Sequence, residues 1–269
     1  LGIPHPAMGR DLFGDLVAAC HAKRIAISAY INVGLSHEES YQHRDWTVLG
    51  VDGRTYGEPF GNSFFRHMCY YSGYADHVMG MAREVVEWYD VDGLFFDCFH
   101  TPPCIGVECM ERMKAEGVDF KDAEQLNDFN YSKILAMGRK LSAGVRDLNP
   151  ELLLYFNGID YEAQAEFGSY LELECLPQSE WGYELLPMVS RYMRTLGKPV
   201  LNMTGRFQKT WGDFGGIRSR CQSAAICSST QRSATPSCKR CAPSASALAR
   251  SGPASRRRNA PSSRRSCSS

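Results

Sequence analysis

Residues 90–99 read Asp-Val-Asp-Gly-Leu-Phe-Phe-Asp-Cys-Phe, an apolar run that closes on an acid and passes into Thr101-Pro102-Pro103. An apolar run of this length between turn signals is a strand buried on both faces, as parallel sheets require. Side chains alternate along a strand, which puts Phe95, Asp97 and Phe99 on one face. A carboxylate at the C-terminal end of such a strand is costly as filler. In a barrel of alternating strands and helices, that end is where chemistry is done. Asp97 is therefore the first catalytic candidate.

The pattern around this strand is helix, strand, helix, strand. Leu12, Phe13, Leu16, Val17 and Cys20 form one stripe over 11–24, with Asp11 as cap. A strand follows over 25–33, then a long polar and aromatic excursion over 36–74 with turns at Asp52-Gly53 and Gly57-Glu58-Pro59. Helices are expected over 76–89, about 124–148 and from Leu185 to Leu196. Further strands are expected over 152–157, 170–175 and 199–204. The connection at Phe167-Gly168 carries no clear helical stripe, so an irregular crossover is expected there. Five buried strands in this order argue for α/β with a parallel sheet. No Gly-rich phosphate loop follows the first strand, which speaks against a dinucleotide-binding sheet. The expected fold is an incomplete (β/α)8 TIM barrel over 1–216, with two strands missing before Leu1 and one after Gly216.

Composition changes abruptly near Gly216. Residues 217–269 hold 15 Ser, 10 Arg, one Lys and five Cys, with no acid and no aromatic residue. The near-zero total charge thus hides a body of about −11 and a tail of about +11. Such a tail cannot bury enough apolar surface to offset its ordering entropy, so disorder is expected. One reading is a basic arm for nucleic acid or another anionic surface. The favoured reading is a frameshift-derived segment, because the Ser/Arg/Ala/Pro/Cys mixture suits a GC-rich gene read out of frame. Cys238-Lys239-Arg240-Cys241 has CxxC spacing but no second pair.

No 18-residue apolar run marks a membrane span, and the first residues lack a signal-peptide pattern. The body's cysteines (20, 69, 98, 104, 109 and 175) are scattered among apolar neighbours. They read as reduced thiols of a cytoplasmic protein rather than a disulfide framework. His37, His43, His67, His77 and His100 have no close metal-ligand spacing, so neither metal nor cofactor is expected.

A second acidic cluster lies at Glu172 and Glu174 in Tyr-Leu-Glu-Leu-Glu-Cys. Two apart on a strand, both point the same way, and their mutual repulsion should raise at least one pKa, as a general acid needs. Glu174, nearer the C-terminal end, is the second catalytic candidate. The alternative is a purely structural pairing with Arg191 or Arg206. Tyr30, Asn32, His100, Asn157, Glu172, Trp181, Arg206, Lys209 and Trp211 all fall at or after strand ends. Aromatic faces with amide and basic donors suit a polyhydroxylated ligand, so a carbohydrate is the expected partner. Each of these residues alone has an ordinary packing or ion-pair explanation; their shared position after strands is the signal.

Several of these pieces together resemble a known group. They are Gly9-Arg10-Asp11-Leu12-Phe13, Ala29-Tyr30-Ile31-Asn32-Val33-Gly34, Asp92-Gly93-Leu94-Phe95-Phe96-Asp97, Leu171 to Pro177 with Trp181-Gly182-Tyr183, and Thr204-Gly205-Arg206-Phe207 with Trp211 to Gly215. Over about residues 5–216 the chain resembles the hypothetical glycosyl hydrolase barrels, which are linked with alpha-amylase-like proteins and beta-galactosidase trimerisation-like domains. The Asp97 strand is also similar to the nucleophile strand of alpha-L-fucosidases. The resemblance implies a TIM-barrel glycosidase with its nucleophile at Asp97, and members that can oligomerise. The reading is a glycoside hydrolase with a carboxylate nucleophile and a carboxylic acid/base, expected to retain anomeric configuration. The alternatives are a non-catalytic carbohydrate-binding barrel and an inactive truncated product.

Overall fold

A computed structural model describes residues 7–55, 66–175 and 185–204. Within them the chain runs α1 (Leu12–Ala22), β1 (Ser28–Asn32), α2 (His37–Gln42), α3 (Tyr74–Trp88), β2 (Gly93–Asp97), α4 (Val107–Glu116), α5 (Ala123–Leu148), β3 (Leu153–Phe156), α6 (Tyr161–Phe167), β4 (Leu171–Cys175), α7 (Leu185–Met193) and β5 (Val200–Thr204). Strands β1, β2 and β3 pair in that order, all parallel, and β4 pairs parallel with β5. All five strands stand where apolar runs place them. The tail at 217–269 lies outside the described residues.

Burial follows the alternation of each strand. Ala29, Ile31, Leu94, Phe96, Leu154 and Phe156 point to one side and merge with Val78 and Ala82 of α3 and Ile134, Met137, Leu141 and Val145 of α5. The spacing of those α5 residues, three to four apart, is one helix face. Asp122 starts α5 by accepting from the amides of Glu124 and Gln125, at 2.9 and 3.3 Å. In the second sheet, Leu171 and Leu173 of β4 pack with Leu186 and Met193 of α7.

The opposite face carries a row of aromatic rings. Tyr30 stacks near Phe95 (5.7 Å between centroids), Phe95 meets Tyr155 edge-on (4.7 Å), and Tyr155 stacks on Tyr170 (5.3 Å). Such offset and edge-on pairs are the favoured arrangements for rings. The row crosses from β1 to the residue before β4, so it bridges the two sheets. The Ser169 amide, which bonds the Leu154 carbonyl at 2.8 Å, does the same.

Two expectations are corrected. A helix, α6, fills the crossover before β4: Asp160 caps it by accepting from the Ala163 amide at 2.9 Å, and Phe167 and Ala163 bury its inner side. Its seven residues are too few to display a helical stripe. Phe99 does not share the face of Asp97. Cys98 takes a left-handed backbone (φ 52°), which breaks the alternation and turns Phe99 into the core against Phe156, at 5.2 Å. A non-glycine residue in that region is uncommon and clusters at functional sites.

Candidate active site

The parallel register brings the C-terminal strand ends level. Asn32 of β1 pairs with Asp97 of β2, and the Asn157 amide bonds the Phe96 carbonyl at 2.8 Å. Gly34 makes this alignment possible. A Cβ there would lie 2.1 Å from the Cys98 carbonyl oxygen and 2.6 Å from that of His100, so only glycine lets the chain after β1 press against the end of β2.

Asp97 is held at both oxygens. The Asn157 side-chain amide donates to Oδ1 at 2.7 Å, and the Tyr30 hydroxyl donates to Oδ2 in a short hydrogen bond. The Cys98 thiol approaches Oδ2 at 3.6 Å. Burial, then the Asp97 charge, pushes that thiol up to about 11, so at neutral pH it is a protonated donor and a poor nucleophile. Burial and the hydrogen bond to Asp97 likewise drive the Tyr30 hydroxyl well above the usual phenol range.

Asn157 also reaches the second acid. Its Nδ2 lies 3.4 Å from Glu174 Oε2, while its Oδ1 accepts from the Tyr155 hydroxyl at 2.9 Å. The two Nδ2 contacts together hold the facing Asp97 and Glu174 oxygens no more than about 6 Å apart. Tyr155 is fully buried and its hydroxyl also lies 3.2 Å from the Glu172 carbonyl oxygen. It is a supporting residue that is not among the candidates drawn from the sequence. The signal was available: Tyr155 and Asn157 are two apart and so share a face.

Glu172 and Glu174 do point to the same side, opposite Leu171 and Leu173. Burial, then the neighbouring Glu174 charge, raises the Glu172 carboxyl. Among the described residues neither glutamate makes an ion pair with Arg191 or any other base. Asn32 accepts from the Leu35 amide at 3.0 Å and so also shapes its own loop. His100 is exposed just past Asp97, its ring 5.7 Å from that of His67. Burial, then the His100 charge, lowers the His67 imidazole. Trp181, Arg206, Lys209 and Trp211 lie outside the described residues.

A cavity of about 390 Å³ lies beside the site, between β1, α2 and α3, with Tyr30 and Asn32 on its wall. Neither Asp97 nor Glu174 lines it, so the chemistry is assigned from the carboxylate geometry and not from this hollow. Among the described residues no helix is long and apolar enough to cross a membrane.

Comparison with known proteins bears on the family and the fold. Residues 2–98 match the family model described as hypothetical glycosyl hydrolase 6, the kind of protein that the motifs resemble. A search of curated proteins returns no match. Among solved structures, alpha-L-fucosidase isoenzyme 2 from Paenibacillus thiaminolyticus is similar at 28% identity and TM-score 0.70, covering 79% of this chain and 33% of that one. Beta-galactosidase from Bacillus circulans sp. alkalophilus is similar at 12% identity and TM-score 0.59, with 79% and 40% covered. The cold-adapted beta-galactosidase from Rahnella sp. R3 gives 16% identity and TM-score 0.58, with 82% and 42% covered. The two galactosidases share the fold with this chain, the helix-and-strand order of TIM-barrel glycosidases. The chain spans 33% to 42% of the length of these three proteins.

Proposed function

We propose that this chain carries the catalytic core of a retaining glycoside hydrolase, with Asp97 as nucleophile and Glu174 as acid/base. The observation that carries the reading is Asn157, whose one amide group faces both carboxylates and fixes them across a narrow gap. In the first step Glu174 gives its proton to the glycosidic oxygen while Asp97 Oδ1 or Oδ2 bonds to the anomeric carbon and the aglycone leaves. In the second, Glu174 takes a proton from water, water attacks the same carbon, and the Asp97–sugar ester breaks. Both Nδ2 hydrogens of Asn157 are directed at acids, which makes it a positioning residue. Tyr30 orients Asp97 from the other oxygen. Glu172, one rung deeper, keeps its proton to higher pH than an ordinary glutamate, which limits repulsion beneath Glu174.

The sugar is sought first among α-L-fucosides, because the fucosidase is the solved structure with 28% identity, and second among β-galactosides. Exposed Tyr30 and His100 and half-buried Asn32 line the approach to Asp97. The test is hydrolysis of a panel of 4-nitrophenyl glycosides by the chain and by Asp97→Asn, with product anomers followed by proton NMR. Asp97→Asn should abolish turnover while calorimetry still detects the sugar. Undiminished turnover in that variant rules out the nucleophile, and a first-formed inverted product rules out the retaining route. Binding without hydrolysis by the unmodified chain would point instead to a carbohydrate-binding barrel.

A further inference from the structure

Cys69, Cys104 and Cys109 are far apart in sequence but meet in the fold. Their sulfur atoms all lie within 4.8 Å of one another, with Cys69 and Cys109 at 3.4 Å, and all three residues are buried. Cys69 comes from the segment before α3, Cys104 from the loop after β2, and Cys109 from α4. Around them are Val48, Met113, Leu126 and Phe129, an apolar shell.

Lys133 of α5 is the second observation. It is fully buried, and its ammonium has no hydrogen-bond partner. Hydrogen bonding to Cys104 raises the Cys69 and Cys109 thiols, and the Lys133 charge, within electrostatic reach of both sulfurs, opposes that rise. An unpaired ammonium buried without compensation costs several kcal/mol, so the fold should supply negative charge here. Neutral thiols do not.

We propose that Cys69, Cys104 and Cys109 bind one zinc ion as thiolates, with the Lys133 ammonium balancing the charge. Binding displaces the thiol protons to solvent. Three thiolates and one Zn²⁺ leave a single negative charge, which Lys133 cancels. Tetrahedral zinc with ligands at about 2.3 Å sets sulfur atoms roughly 3.8 Å apart, so small side-chain movements close the present cluster around the ion. A water completes the tetrahedron. The Leu49 and Gly106 amides already point at Cys104 Sγ, at 3.4 and 3.3 Å, as outer partners of a metal-bound thiolate do. The site lies on the loop that leaves Asp97, and it ties that loop to the segment before α3.

The test uses the full chain, purified under reducing conditions without chelator. Elemental analysis should find about one zinc per chain, and Co²⁺ exchanged into the stripped protein should give intense thiolate-to-cobalt charge-transfer bands. Cys109→Ser should lose the bands. Lys133→Met should retain them but weaken metal affinity by roughly tenfold or more. A zinc-free chain that gives no charge-transfer band at saturating Co²⁺ overturns the proposal. So does a Cys69–Cys109 disulfide in the chain isolated without reductant. If Cys109→Ser fails to fold, the Co²⁺ titration of the unmodified chain decides alone.

Discussion

Replacing Asn157 by alanine isolates the contact on which the two-carboxylate arrangement turns. The variant removes the 2.7 Å amide bond to Asp97 Oδ1 and the longer 3.4 Å approach to Glu174. Hydrogen bonds to charged groups contribute about 1.5–3 kcal/mol, and the longer contact adds little at that distance. The Tyr155 hydroxyl is not orphaned, because the Glu172 carbonyl remains 3.2 Å away. With tenfold per 1.4 kcal/mol, the loss corresponds to roughly a 10- to 150-fold fall in kcat. Asp97 is only half-buried, so the lower part of that range is expected. KM should change less than about twofold, since the amide faces carboxylates and not solvent-side sugar. The assay is initial-rate hydrolysis of the glycoside found to turn over fastest, with thermal melting as a control on folding. A folded Asn157→Ala chain with unchanged kcat refutes the reasoning. A loss confined to KM would make Asn157 a sugar ligand instead.

Glu172→Gln tests the buried acid below the site. The raised carboxyl in the folded chain means folding binds a proton more tightly than the unfolded chain does. That contribution is fully present below the unfolded value of about 4.3 and is lost as pH rises through the folded one. The variant should therefore melt higher than the parent at about pH 8 and no higher at about pH 4; equal melting at both would contradict the assignment. Gly34→Ala should cost about 3 kcal/mol, because its Cβ would meet backbone oxygens that cannot rotate away. Melting should fall by roughly 6–12 °C, and activity with it; an unmoved melting curve would show that the strand ends are looser than the contact distances imply.

Much of the fold was legible because burial on both faces leaves a plain mark. The strands ending at Asn32, Asp97 and Cys175 are apolar runs between polar turns, and α5 repeats its apolar residues over 26 positions. Asp97 and Glu174 stood out because a carboxylate in such a run needs a reason. Three things were hidden. Helix α6 has seven residues and one cap, too short for periodicity to speak. The left-handed Cys98 gives no compositional warning, since cysteine is not a residue chosen for that conformation. The gathering of Cys69, Cys104 and Cys109 depends on how α4 packs against the segment before α3, a tertiary fact that spacing along the chain does not encode. Their reading as scattered thiols held only along the chain.

The grip on Asp97 has a consequence for how the chain reaches its native state. Tyr30 and Asn157 come from strands that neighbour β2 in space yet stand 67 and 60 residues from Asp97 in sequence. No local turn can assemble this trio; two long loops must close before any of the three side chains meets another. High contact order of this kind makes sheet pairing the slow event of folding. The Tyr30 bond needs β1 paired with β2 and the Asn157 bond needs β3 paired with β2, so the carboxylate has both donors only once all three strands of the sheet are in register.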